Sequence, residues 1–364
     1  MTALVIDSLH QESADSLHVA PSSIDARTIL LLFFLSAFSQ PISQPEPLLA
    51  LITSLLCQPQ LPPSYPHSIS FMRRSILLVV NTDKPDAATA AAAVRTLIQR
   101  HGSLVAEISA SSQPPPPSAD SADAIVVLGG DGTLLWQARR FLSLGKPLLG
   151  VNLGRFGFMA EFDLASLTEQ APKLFGSAPL TTHDFPLLRV SLFGAADTTP
   201  RFVSQALNET LITAGPPYRL VTLQMRIDAR DGPTISGDGL IVATALGSTA
   251  YSLSAGGPIV APTTDAMCVT AIAPFSLAFR PIVLPMSSHI EILAREVNQP
   301  LDPSSTGTTL VLDGQATQPI FKGDRVTIQR HDRSASFVTN TESDYWQRLI
   351  GKLHWAVEPK LRTK

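Results

Sequence analysis

Cysteine is nearly absent from this 364-residue chain. Its two cysteines, Cys57 and Cys268, have no CxxC spacing and no histidine pattern beside them, which argues against a disulfide framework or a zinc site and fits a reducing cytosol. No run of Lys and Arg occurs and the formal net charge is −3, so neither composition nor patterning offers a nucleic-acid surface. A membrane span is missing too. The apolar run 29–38 (ILLLFFLSAF) is about half of what a bilayer-crossing helix needs, and Pro41, Pro45 and Pro47 block its extension. The stretch before it carries Asp7, Glu12, Asp15 and Asp25 where a signal peptide would need basic residues. The eight histidines are scattered, and no internal repeat is visible.

What is present divides the chain unevenly. Residues 1–71, with a second short apolar run at 48–57 and a proline-rich stretch at 59–66, are expected to be a disordered extension or an over-long gene start, a membrane-associating tail being the alternative. From Met72 the pattern alternates: a strand at 76–80, an alanine-rich helix at 87–101, a strand at 104–108, a proline-rich surface loop at 111–122, an apolar strand at 124–128, a helix at 134–144 and a strand at 147–151. This predicts a doubly wound α/β domain over 72–179. Beyond it come short strands rich in Thr, Val and Leu, at 188–193, 202–207, 220–227, 239–244, 290–294, 310–313 and 325–330, which predict a mostly antiparallel β domain over 180–335. The amphipathic stretch 343–353 (SDYWQRLIGKL), within a C-terminal helix and tail at 336–364, is expected to pack back on the first domain.

Two glycine constellations carry chemistry. In the first, GGDGT at 129–133 follows the strand at 124–128 and opens a helix, at the strand end where ligands bind in open α/β sheets. Glycines that reach positive φ would expose several N–H groups there, beside the positive end of the helix, and Asp131 would stand among them as a proton acceptor. The turn 152–158 (NLGRFGF) lies on the same edge. The second constellation, GDGLIVATALGSTAYSLSAGGP at 237–258, runs a strand from one glycine turn into another that supplies small residues, hydroxyls and a Tyr ring, as nucleotide recognition requires.

GGDGT, Asn208-Glu209, the run 237–260, FRPIVLP at 279–285 and DGQ at 313–315 resemble, in order and spacing, the NAD kinase family. GGDGT alone would mark a wider superfamily that includes 6-phosphofructokinases and lipid kinases; GSTAYSLSAGGP selects NAD kinase. The resemblance implies transfer of a phosphoryl group from ATP or polyphosphate to the 2′-hydroxyl of the adenosine ribose of NAD. It also implies a divalent metal, usually magnesium, and a homo-oligomer, dimer or tetramer; composition, charge and the short apolar run add the expectation of a cytoplasmic protein without nucleic-acid or membrane partners. Carried over by position, it makes Asp131 the general base, with Gly132 near the substrate and Gly129, Gly130, Gly132 and Thr133 on the phosphate-donor side. Asn208 and Glu209 would hold adenine and ribose, and Asp238 would meet the nicotinamide end. Leu246, Thr249, Ala250, Tyr251, Ser252, Leu253 and Ser254 would form the nucleotide-binding run, with Arg219 and Gln315 also touching the dinucleotide. No residue is assigned to a metal.

The chain departs from the family pattern at three places. Ala245 and Leu246 stand where Pro and a hydroxyl residue are usual, Ser236 where a basic residue often precedes GDG, and Phe275 where His commonly follows Pro. A dinucleotide sensor that binds without catalysis, or a lipid or sugar kinase of the same superfamily, are the alternative readings; Asp131 speaks against the first and the run 249–254 against the second.

Overall fold

In the computed structural model, residues 73–83, 85–110, 115–154, 157–300, 306–353 and 355 are described, all within one compact unit, Ser68–Lys364. The expected N-terminal extension lies outside the described residues. Two sheets organise the chain. The first begins with four parallel strands in the order β2 (Ser103–Ser109), β1 (Ser75–Val80), β3 (Ala124–Leu128) and β4 (Leu148–Val151). Side chains of β1 alternate between two apolar layers. Ile76, Leu78 and Val80 pack toward α1 (Pro85–His101) and α3 (Leu164–Phe175), and Leu77 and Val79 toward α2 (Asp131–Arg140). Burial on both faces is why these strands read as continuous apolar runs.

The same sheet continues through β16 (Arg325–Val338) into β13 (Ile290–Glu296), β8 (Val221–Ile227) and β9 (Arg230–Gly237), with β5 (Thr182–Phe193) and β6 (Phe202–Ala206) branching from β16. β16 is the hinge of the architecture. It pairs antiparallel with β5 on both sides of a register shift between Arg330 and Ser334; its first part also pairs antiparallel with β13, and past the shift Phe337 reaches Leu148 of β4 in parallel. A second, antiparallel sheet of six strands runs β12 (Ile282–Pro285), β11 (Ala266–Ile272), β10 (Gly239–Thr244), β7 (Glu209–Thr213), β14 (Thr309–Leu312) and β15 (Ala316–Pro319). Its inner face, with Ile212, Leu240, Val242, Met267 and Leu310, closes a core against residues of the first sheet, among them Val190, Leu223, Ile292 and Val326. The doubly wound half, the antiparallel β half and the returning C-terminal helix α5 (Tyr345–Leu353) match the expected fold class. α5 docks through the buried Leu349 and an Arg348–Glu161 ion pair of 2.8 Å.

Three local expectations are corrected. The stretch 111–122 is not all surface loop: Pro117–Ser121 forms a 3-10 turn that places Ala119 and Ala122 in the core beside Leu77 and Ile125. The helix expected over 134–144 starts earlier, at Asp131, and ends at Arg140, with a separate short turn over Leu142–Leu144. α3 went unread in the sequence because Pro172 interrupts its pattern; its signal was Asp163, whose side chain accepts the Ser166 N–H at 2.8 Å in a capping box ahead of Leu167, Ala171 and Leu174.

Gly150 of β4 lets α2 settle on the sheet, since a Cβ there would lie 2.4 Å from Leu134 Cδ2 and 3.0 Å from Ala160 Cα. Gly150→Val is expected to lower stability by about 1–3 kcal/mol through overpacking, measured as the shift in urea midpoint at unchanged slope.

Candidate active site

Gly129 and Gly130 turn the chain out of β3, and α2 begins at Asp131 with Gly130 as its N-cap. The expected positive φ does not occur in this turn: Gly130 is extended at φ −89° and ψ −176°, and none of the three glycines is left-handed. Space, not handedness, requires them. A Cβ on Gly129 would sit 2.7 Å from the Thr133 side chain, whose hydroxyl accepts a hydrogen bond from Asn81 Nδ2 at 2.9 Å. A Cβ on Gly132 would meet nothing within 4 Å, so this residue leaves open room beside Asp131.

The Asp131 carboxylate is held from the second glycine turn. Oδ2 accepts the Phe158 N–H at 2.7 Å, and Oδ1 accepts those of Met159 and Ala160 at 3.2 and 3.0 Å. Gly157 makes this possible, because any Cβ there would overlap Oδ1 at 1.8 Å. Lys352 of α5 faces the same carboxylate, with Nζ 3.7 Å from Oδ2. The turn 152–158 was legible as a partner for GGDGT, although its Arg155 and Phe156 lie outside the described residues. Lys352 carried no signal in the sequence.

Asn208 and Glu209 are brought to this helix by Asp313. Its buried carboxylate accepts the N–H groups of Leu207, Asn208 and Glu209 at 2.9, 2.8 and 3.0 Å and faces Arg139 Nε of α2 at 3.6 Å. Burial raises the Asp313 carboxyl above its ordinary range, and the three amides and Arg139 oppose that rise. Gln315 completes the bridge, accepting from Arg139 at 3.2 Å and donating to the Gly132 carbonyl at 3.4 Å. Arg139 had no signal beyond its place on α2. Glu209 is 9 % exposed, takes the Tyr251 N–H, and keeps Oε2 without a partner among the described residues; burial, then the nearby Asp313, push its carboxyl up to about 7.

The nucleotide-like run divides by role. Gly247 passes so close to Asn208 that a Cβ would lie 2.0 Å from its carbonyl oxygen, and the Thr244 N–H donates to that same carbonyl at 2.8 Å. Leu246 packs with Leu134 and Leu207, so the apolar residue at this departure from the family pattern fills core against α2. Ser252 is buried and paired with Thr270 at 3.1 Å. Thr249, Ala250 and Leu253 are half-buried, and Tyr251 and Ser254 of the short helix α4 (Tyr251–Ser254) are exposed. Asp238 and Arg219 are exposed at the opposite end of the second sheet, where Gly239 pairs with Thr213; that is four residues, or about 14 Å, along β7 from Glu209. Within one chain they are not brought to Asp131. The other two departures sit near that end: Ser236 shares a hydrogen bond with Thr222 at 3.1 Å, and Phe275 is 79 % exposed.

The family model for the ATP-NAD kinase N-terminal domain matches residues 115–177, and that for the ATP-NAD kinase C-terminal domain matches 207–340. An NAD kinase of Acidithiobacillus ferrooxidans is 38% identical over 240 residues, 65% of this chain and 77% of that protein. The chain belongs to the NAD kinase family. An NAD kinase of Rhodopirellula baltica is 32% identical over 289 residues, covering 79% of this chain and 88% of its own. Among solved structures, an Archaeoglobus fulgidus NAD kinase in complex with ATP superimposes with a TM-score of 0.58 at 28% identity, covering 77% of this chain and 98% of that one. Yeast NADH kinase complexed with NADH shares the fold, at a TM-score of 0.67, 24% identity, and coverage of 80% and 90%. Both matched segments of this NAD kinase family member contain the two clusters described above, GGDGT in one and the Asn208, Tyr251 and Gln315 set in the other.

Gly132→Ala is expected to leave thermal stability unchanged or slightly raised, by about 0.5–1 kcal/mol from helix propensity, while cutting turnover because the new methyl projects into the open room beside Asp131; differential scanning calorimetry beside steady-state rates checks this. Glu209 binds its proton more tightly folded than at the ordinary value of 4.5, so its contribution is present below that value and is lost as pH rises through about 7. Glu209→Gln should therefore stabilise the ligand-free protein by about 2–3 kcal/mol above about pH 8 and by nothing below about pH 4, read from denaturant midpoints across that range.

Proposed function

We propose that this chain is an NAD kinase in which Asp131 accepts the proton of the adenosine ribose 2′-hydroxyl while the oxygen attacks the terminal phosphorus of ATP. The new O–P bond forms as the bond to the bridging oxygen breaks, giving NADP and ADP. The observation that carries this reading is a fixed carboxylate at the start of α2 beside the open space at Gly132, with the Asn208-Glu209 turn tied to the same helix through Asp313, Arg139 and Gln315. Positioning is the larger part of such a reaction, because phosphoryl transfer offers little covalent chemistry to the protein and holding two reactants in line can be worth about 10⁵ M or more in effective concentration.

In this reading Asn208, Glu209, Tyr251 and Ser254 meet the adenosine half of NAD, and Gly129, Gly130 and Thr133 the donor. Asp238 and Arg219, exposed at the far end of the sheet, fit contacts made across a homo-oligomer better than contacts within one chain. Among the described residues no three metal-ligating side chains cluster, so the protein's own side chains do not fit a resident metal cage; magnesium belongs to the reading as the counter-ion that enters on the donor's phosphates. A cytoplasmic site of action completes it, supported by the scarcity of cysteine.

The test is NADP formation by the full chain with magnesium, offering ATP or polyphosphate and NAD or NADH. Asp131→Asn is expected to keep its NAD dissociation constant and to lose about 10²–10⁴ in turnover; near-normal turnover would remove Asp131 as the base.

A further inference from the structure

Lys352 lies on the C-terminal helix, beyond both segments matched by the family models. Its placement is specific. Arg348, Leu349 and Lys352 share one face of α5 by their three- and four-residue spacing. Leu349 is buried, and Arg348 grips Glu161 at 2.8 Å. Glu161 also accepts the Asn340 N–H at 2.9 Å, and Asn340 in turn accepts from Gln170 of α3 at 3.0 Å. The helix is thus fastened to the loop whose amides hold Asp131. From that anchorage Lys352 lies over the Phe158 ring, with Nζ 4.7 Å from its centroid and 3.7 Å from Asp131 Oδ2.

The pair with Asp131 is a poor explanation for this placement. At 3.7 Å it is longer than a hydrogen bond, and the side chains are 30 % and 33 % exposed. Pairs of that kind contribute about 0–1 kcal/mol. Asp131 does not need it either, since three backbone N–H groups already engage its oxygens. The ammonium therefore keeps donor capacity at the spot where a transferred phosphoryl must arrive, beside the base and the open space at Gly132. Among the described residues, Arg139 is committed to Asp313 and Arg348 to Glu161.

The surroundings limit what can approach. An open groove of about 1050 Å³ runs between α5 and the segment Phe158–Ser166, and Glu161, Asp163, Glu342 and Asp344 line it. Arg348, which also lines it, is spent on Glu161, so the three carboxylates left over, Asp163, Glu342 and Asp344, disfavour a polyanion along the groove and leave the Lys352 end, next to the glycine turn, as its phosphate-compatible part.

We propose that Lys352 is a catalytic residue for the donor: its ammonium turns from Asp131 to the transferred phosphoryl group, neutralises charge there during transfer and leaves the carboxylate to take the ribose proton. The phosphoryl needs such a partner because its oxygens carry the transition-state charge. This inference rests on the reading of Asp131 as the base.

The test compares the full chain with Lys352→Met, which keeps the stem over Phe158, and Lys352→Arg, which keeps the charge. The Met variant should lose about 10²-fold in kcat/KM for ATP, with the NAD dissociation constant and unfolding midpoint unchanged, and the Arg variant should recover most of the loss. Retention of kcat/KM for ATP within about twofold overturns the proposal. So does an equal loss of NAD affinity, a lowered midpoint, or failure of the Met variant to fold, each of which assigns Lys352 a structural role. Asp131→Asn, measured alongside, separates the two ideas: an active Asn variant removes the base assignment, whereas an inactive one with an unaffected Met variant removes only Lys352.

Discussion

The buried carboxylate of Asp313 is the constraint on which the site depends. A charge taken out of water costs several kcal/mol unless it is compensated, and here three consecutive backbone N–H groups, from Leu207 to Glu209, and Arg139 compensate it. Those partners come from different elements. The amides lead into β7 in the second sheet, Arg139 belongs to the helix that starts at Asp131, and Asp313 itself directly follows β14. One buried group therefore fixes the distance between the helix that starts at Asp131 and the Asn208-Glu209 turn, and Gln315, two residues later, adds the contact to Gly132. Charge at Asp313 also reaches Glu209, whose carboxyl is held up by burial and by this neighbour together.

Around that frame the glycines act by omission. Gly247 allows β10's exit to approach Asn208, Gly157 allows the amides of Phe158 to Ala160 to close on Asp131, and Gly132 leaves room unfilled. Side chains at the first two would overlap atoms of the site. The third would intrude only on what enters it. Positive φ, the usual reason for glycine in such turns, plays no part at GGDGT.

β16 sets the larger arrangement. Paired with β5 throughout, it carries the chain from an antiparallel pairing with β13 to a parallel contact with β4, so the α/β layers and the β sandwich share one sheet. Past its end, α5 returns to the loop beside Asp131. The polar stretch from His331 to Ser334 hid this continuity, because it reads as the end of a strand when it marks the register shift within one.

The sequence by itself determined the strand and helix order from β1 to β4, the antiparallel character of the second half, and the family, because those follow from local periodicity and from motifs contiguous in the chain. It also marked Asp131, Asn208 and the run from Thr249 to Ser254. Edge strands such as β12 and β15 stayed unread because four residues carry too little periodicity, and α3 because its proline masks the pattern. Tertiary structure alone decided which motif residues stand together. It set Arg139 against Asp313, buried Ser252 against Thr270, filled core with Leu246, separated Asp238 from Glu209 by the length of a strand, and brought Lys352 across more than two hundred residues to the glycine turn. Contacts of that kind arise from the packing of sheets and helices, and no spacing within the chain encodes them.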